Sequence, residues 1–186
     1  ISYPGDSSLF ISVLSRHPLV HIQTTELTWG TSEQKTAWIQ KYKQPPYNPN
    51  RNISFFEITK KGQQYLIAPI HFMNPWPIIK SIDGLASTGF NIYFGESNPL
   101  FYQTQQAIKK ISEITNLNTQ LPFILIGDFN DDVDETVSNV ASKESTYKNF
   151  VDDITNYNPI TKELSDQGLR SYISMENVID HIIISK

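Results

Sequence analysis

The chain contains no cysteine in its 186 residues. Disulfides, thiolate metal sites and a cysteine nucleophile are excluded together, while the compartment stays open. Long apolar runs are missing too: "FILI" (123–126) and "III" (182–184) fall far short of the roughly 20 residues that a membrane-crossing helix needs. No internal repeat or low-complexity tract divides the chain. The opening "ISYPGDSS" has neither the basic start nor the apolar run of a signal peptide, although a trimmed terminus would look the same. A net charge of −4 argues against a surface that is basic throughout and grips nucleic acid over its whole extent.

A hydrophobic content of 39% is enough for one substantial core. We therefore expect one domain over residues 1–186, soluble and monomeric, with a secreted or extracytoplasmic location compatible with the composition. Charge is unevenly spread. Between Lys35 and Lys61, six basic residues (Lys35, Lys41, Lys43, Arg51, Lys60, Lys61) face one acid, Glu57, with Trp38, Tyr42 and Tyr47 interleaved. Cations that meet phosphates and aromatic faces that stack on bases suit a polyanion. A solvated loop with a proline bend at "QPPYNPN" is the other reading, and composition alone favours it.

Strands are expected at 8–15 (SLFISVLS) and 18–27 (PLVHIQTTEL), which are rich in β-branched and large apolar residues. A hairpin is expected from 52–59 and 63–72 around "KKG". Residues 74–99, punctuated by proline and glycine, read as a long loop whose aromatic residues rim a site, touch a membrane interface or, more often, pack. Apolar residues at Phe101, Ile108, Ile111, Ile114 and Leu117 keep helical spacing and predict a helix over 99–117. "LPFILIGDF" (121–129) follows as a buried strand, a short helix is expected at 146–154, and "NVIDHIIIS" (177–185) reads as a last strand. Near-continuous apolar strands mixed with helices give an α/β class, with a sheet covered on at least one face.

The stretch "FILIGDFNDDVDET" (123–136) runs from a buried strand into a crowd of carboxylates. Asp128, Asn130, Asp132 and Asp134 have the alternation of a calcium loop, but Val133 stands where that loop needs glycine and Asn139 where it needs a bidentate glutamate. Alternation along a strand instead puts Asp128 and Asn130 on one side and Phe129 on the other. Gly127 permits close approach of a substrate or a neighbouring backbone. A carboxylate beside a carboxamide can orient water and hold a phosphoryl oxygen, as metal-assisted phosphoester hydrolysis requires. A strand end capped by Asx-type turns explains the same residues equally well. The further acids, Asp131, Asp132, Asp134 and Glu135, read as a solvated turn.

"LSRHPL", "LIAPIHF", "GDFN" and "IDHIIIS" occur in the order found in the endonuclease/exonuclease/phosphatase superfamily, and the sequence resembles that family from about residue 8 to 185. "GDFN" with "IDHI" downstream is fairly specific; "SR" and "HF" alone are weak. The resemblance implies a deoxyribonuclease-I-like four-layer α/β sandwich, two mixed and mostly antiparallel sheets packed face to face with outer helices. It further implies a metal-dependent phosphodiesterase or phosphatase using Mg²⁺ or Mn²⁺ on a phosphate ester, nucleic acid before a phospholipid or inositol phosphate headgroup. Asp128 and Asn130 would be catalytic and hold the metal. His71 would be a general acid or phosphate ligand, and Asp180 would orient a catalytic histidine. Enclosed by Val178, Ile179, Ile182 and Ile183, Asp180 is expected to be buried with a partner. Its neighbour His181 points to the opposite side and packs structurally. Asn74 and Arg16 are the substrate-binding candidates, Arg16 more readily as a structural ion pair.

Family members usually begin with strands carrying an Asn and the Glu that is the main metal ligand, and they end on an "SDH" segment. None of these is present, so the domain is expected to be incomplete at both ends. A noncatalytic binding or scaffold domain of the same fold is the competing function.

Overall fold

The computed structural model describes residues 13–42, 50–73, 99–117, 121–130, 157–168 and 180–185. In chain order these form β1 (Leu19–Leu27), α1 (Ser32–Tyr42), β2 (Arg51–Lys60), β3 (Gln63–His71), α2 (Pro99–Leu117), β4 (Phe123–Asp128), β5 (Tyr157–Pro159), α3 (Ile160–Asp166) and β6 (Asp180–Ser185). The six strands make one mixed sheet in the order β1-β2-β3-β4-β6-β5. Only the β3–β4 pair is parallel, and α2 lies within the connection between these two strands. A parallel pair needs such a crossover, whereas β2 and β3 are antiparallel and close through a tight turn. Lys61 (φ 52°) and Gly62 (φ 80°) sit at that turn, the pair of positive φ angles that matches strand twist in a two-residue hairpin.

The hairpin, the 99–117 helix and the strand through "FILIGD" stand where the sequence predicts them. The 146–154 helix, residues 74–98 of the expected loop and most of the 8–15 strand lie outside the described residues; residues 13–15 are not strand. Helix α1 is not expected from the sequence, where the stretch from Lys35 reads as either a polyanion-binding segment or a solvated loop. Its start is held by a reciprocal cap: Gln34 N–H donates to Thr31 Oγ1 (3.2 Å), and Thr31 N–H donates to Gln34 Oε1 (2.8 Å).

One face of the sheet carries the core. Leu66, Ala68 and Ile70 of β3, Phe123 and Leu125 of β4, and Ile183 of β6 share it, and Leu100, Ala107, Ile108, Ile111 and Ile114 of α2 belong to the same buried cluster. Each fully buried side chain of this size contributes about 1.5–3 kcal/mol of transfer free energy. The other face is partly apolar too, with Phe56 buried and Ile126 exposed. The sandwich's second sheet is not among the described residues.

Candidate active site

The strand registers align the candidates. His71 ends β3 opposite Asp128, which ends β4, and Asp128 stands opposite Asp180, which begins β6. Three side chains thus come from one row of three adjacent strands. Because successive residues alternate faces, this row belongs to the face away from α2, while Ile70, Gly127 and His181 occupy the core-facing row behind it.

Gly127 makes the row possible. Its φ is 152°, and a Cβ built on it would collide with the carbonyl oxygen of Ile70 on the parallel neighbour. Of the two approaches expected there, it is the neighbouring backbone that needs the space. Phe129 is fully buried, with its ring 5.5 Å from Phe72 and 4.8 Å from the His181 ring. His181 is itself fully buried, in keeping with a packing role.

Beyond Asp128 the chain leaves the extended conformation. Asn130 has φ 52°, and its N–H donates to Asp128 Oδ1 at 2.8 Å, an Asx-type closure. Its side-chain Nδ2 donates to the Phe72 carbonyl at 2.8 Å, and Phe72 N–H donates to the Asp128 carbonyl at 2.9 Å. A carbonyl only accepts, so the amide's orientation is fixed and Asn130 Oδ1 is its remaining acceptor. The capped strand end and the functional reading thus coexist: the same bonds that close the turn aim the carboxamide.

His71 Nε2 lies 3.5 Å from Asp128 Oδ2. The distance admits an ion pair, but burial disfavours the charged form of each partner. Burial, and secondarily the nearby Asp180, pushes the Asp128 carboxyl up to about 6, against opposing pulls from the Asn130 N–H and Arg51. Burial and then Arg51 lower His71, with Asp180 acting in the other direction. Near neutral pH the contact is a carboxylate beside a neutral imidazole.

Arg51, at the start of β2, is a component that the sequence reading placed only in a basic segment. It is 5% exposed; Nη1 donates to the Asn50 carbonyl at 3.1 Å, and Nε is buried without a hydrogen-bond partner among the described residues. Its charge acts on both Asp128 and His71. The available signal is its place directly before the strand expected at 52–59.

The remaining candidates fare differently. Asp180 is exposed, which corrects the expectation of burial: it starts β6 on the open face, so its charge stays solvated and still reaches Asp128 and His71. Arg16 is exposed, and no ion pair of Arg16 is found among the described residues. Asn74 and the acids 131–135 lie outside the described residues. Of the six cations between Lys35 and Lys61, the four whose side chains are described, Lys35, Arg51, Lys60 and Lys61, do not form one track. Lys35 stacks over Trp29 at 5.5 Å, Arg51 is buried at the site, and Lys60 and Lys61 stand at the opposite end of β2, about 30 Å away at the usual strand rise. Trp38 is buried and packs edge-on against Trp29, so its face is not open to a base.

No protein-family model matches the chain, and no curated protein sequence does. Solved structures are similar to it. The human nocturnin catalytic domain with a bound sulfate anion aligns with a TM-score of 0.51 and 18% identity, over 95% of this chain and 51% of that one. An endonuclease/exonuclease/phosphatase family protein from Bacteroides thetaiotaomicron gives 0.46 and 14% identity, over 90% of this chain and 51% of that one. A mannosyl-6-phosphatase of the same organism gives 0.46 and 14%, over 90% and 53%. The chain spans about half the length of these structures. Over that span it has the fold of the endonuclease/exonuclease/phosphatase proteins, the deoxyribonuclease-I-like fold.

Proposed function

We propose that this chain carries active-site residues of a metal-dependent phosphoesterase, in a single domain built as a four-layer sandwich. The observation that supports this most is the row of His71, Asp128 and Asp180 on three neighbouring strands, with Asn130 bonded back onto β3. Burial raises the proton affinity of the Asp128 carboxyl and lowers that of the His71 imidazole, a shift in opposite senses that suits an acid–base pair near neutrality. Asp128 takes the proton of the attacking water. His71 holds or protonates a phosphate oxygen, and Asp180 keeps His71 basic enough for that task.

The donor set fits a hard cation. Asp128 is a half-buried carboxylate whose charge is poorly solvated, Asn130 Oδ1 is a neutral oxygen donor, and Mg²⁺ is commonly held by one or two carboxylates with the substrate's phosphate completing its shell. Asp128 and Asn130 would hold Mg²⁺ or Mn²⁺, and the bound ion would offset the charge that develops on phosphorus and the leaving oxygen. Arg51 adds a buried positive charge at the same end of the sheet.

A phosphodiester in nucleic acid is the first substrate class to try, ahead of a phospholipid or inositol phosphate headgroup. The dispersal of the lysines makes Arg51, rather than a basic track, the support for an anionic substrate. The test uses the full-length protein with bis-p-nitrophenyl phosphate and plasmid DNA, in Mg²⁺ and in EDTA. Turnover in Mg²⁺ that EDTA removes supports the reading; substrate binding with no turnover in either condition supports the noncatalytic scaffold.

A further inference from the structure

Two glutamines on α2, one turn apart, bond to strand ends rather than to each other. Gln106 accepts from Thr28 N–H (3.2 Å) and donates to the Thr28 carbonyl (2.6 Å), just past β1. Gln103 is fully buried; its Oε1 accepts from Met73 N–H (3.2 Å), and its Nε2 donates to the Leu27 carbonyl (3.3 Å). Both serve backbone groups at or just beyond strand ends, Leu27 as the last residue of β1 and Thr28 and Met73 past theirs, and an unpartnered amide there is costly.

They differ in what lies next along the chain. Thr28 leads to Trp29 and α1. Met73 follows Phe72, whose N–H is bonded to the Asp128 carbonyl and whose carbonyl receives Asn130 Nδ2, and Phe72 follows His71. The segment 71–73 is therefore gripped from two sides, by the end of β4 and by Gln103 of α2. With the Met73 bond removed, the backbone of the segment keeps its bonds to Asp128 and Asn130 but loses its tie to α2.

We propose that Gln103 is a positioning residue of the site. By fixing Met73 it holds the Phe72 carbonyl, and through it the Asn130 amide, and keeps His71 Nε2 opposite Asp128. This inference rests on the phosphoesterase reading for its kinetic readout alone, since a small misplacement of catalytic groups costs rate rather than binding.

The test uses the full-length protein in three variants. Gln103→Met removes both bonds at similar volume, Gln103→Glu keeps an acceptor for Met73 N–H, and Gln106→Met is the control on the same helix. For bis-p-nitrophenyl phosphate, Gln103→Met is expected to lower kcat about 30-fold with KM within about 3-fold, and Gln103→Glu to recover most of it. Gln106→Met is expected to lower Tm while kcat stays within about 2-fold. In ¹⁵N NMR spectra, Gln103→Met is expected to shift the Asn130 side-chain NH₂ signals and speed exchange of the Phe72 and Met73 amides; Gln106→Met is not. Parallel losses of Tm and kcat in both Met variants, or an unchanged Asn130 NH₂ signal in Gln103→Met, would overturn the proposal. If the wild type shows no turnover, the phosphoesterase reading fails and the NMR comparison still decides the role of Gln103. Should Gln103→Met not fold, Gln103→Asn, too short to reach both partners, takes its place with the same readouts.

Discussion

Asp128 Oδ2 lies 3.5 Å from His71 Nε2 across the one parallel strand pair, whose register sets the two residues side by side. On the proposed function, removing either member is expected to lower hydrolysis more than stability. Asp128→Asn keeps the shape and the acceptor for Asn130 N–H, and it is expected to lower hydrolysis about 10³-fold with Tm unchanged or raised. His71→Ala is expected to cost about 10²–10⁴-fold, the usual range for a positioned acid or base. Initial rates and thermal melts on the same samples check both; an Asp128→Asn protein with near-wild-type turnover would remove Asp128 from the chemistry.

The folded-state carboxyl of Asp128, at about 6, is raised above its ordinary value of 3.8. A raised acid favours the folded state in its protonated form, so this stability is present at low pH and is lost as pH rises through about 6. In metal-free buffer the wild type is expected to lose on the order of 2 kcal/mol relative to Asp128→Asn between about pH 4 and pH 7. Denaturant melts of the two proteins across that window check it. A difference that stays flat with pH would mean that burial does not perturb this carboxyl.

Arg51 acts on Asp128 in the opposite sense, lowering its proton affinity. Arg51→Met is expected to move the acid limb of the pH–rate profile to higher pH and to reduce kcat/KM about 10²-fold. Lysine, a point charge without the planar fork, should restore the limb but not the full rate. A limb that moves to lower pH would contradict the placement of this charge.

Gly127→Ala is expected to cost about 3 kcal/mol or more, because its Cβ has no space beside the Ile70 carbonyl and neither backbone can retreat without breaking the β3–β4 ladder. A chemical denaturation midpoint close to wild type would show that the two strands can separate locally.

Much of this arrangement is legible in the sequence, for reasons that single residues make plain. "FILIGD" declares itself by a run of apolar residues ending on an acid, and Pro99–Leu117 by helical spacing, because both patterns report burial directly. Helix α1 is hidden because few of its residues are apolar; the cap formed by Thr31 and Gln34 is its only strong local mark. The short β5 and α3, Tyr157–Pro159 and Ile160–Asp166, carry no pattern of their own and are held from outside, as when Ile182 N–H donates to Thr161 Oγ1 at 2.6 Å. In the site, Asp128, Asn130 and His71 follow from motifs, whereas Arg51 and Gln103 owe their places to strand register and helix docking, which act between residues far apart in the chain. The exposure of Asp180 is not legible for the same reason: of its described apolar neighbours, Ile183 faces the core on the other side and Ile182 lies farther along the sheet.

The most direct measurement is Mg²⁺-dependent hydrolysis of bis-p-nitrophenyl phosphate by the full-length protein, wild type beside Asp128→Asn, with fold integrity followed by circular dichroism. Turnover in the wild type, abolished by EDTA and reduced about 10³-fold in a folded Asp128→Asn protein, is the expected result. Equal turnover in both proteins, or none in a folded wild type with Mg²⁺ or Mn²⁺ supplied, would contradict the assignment of this strand row as a phosphoesterase site.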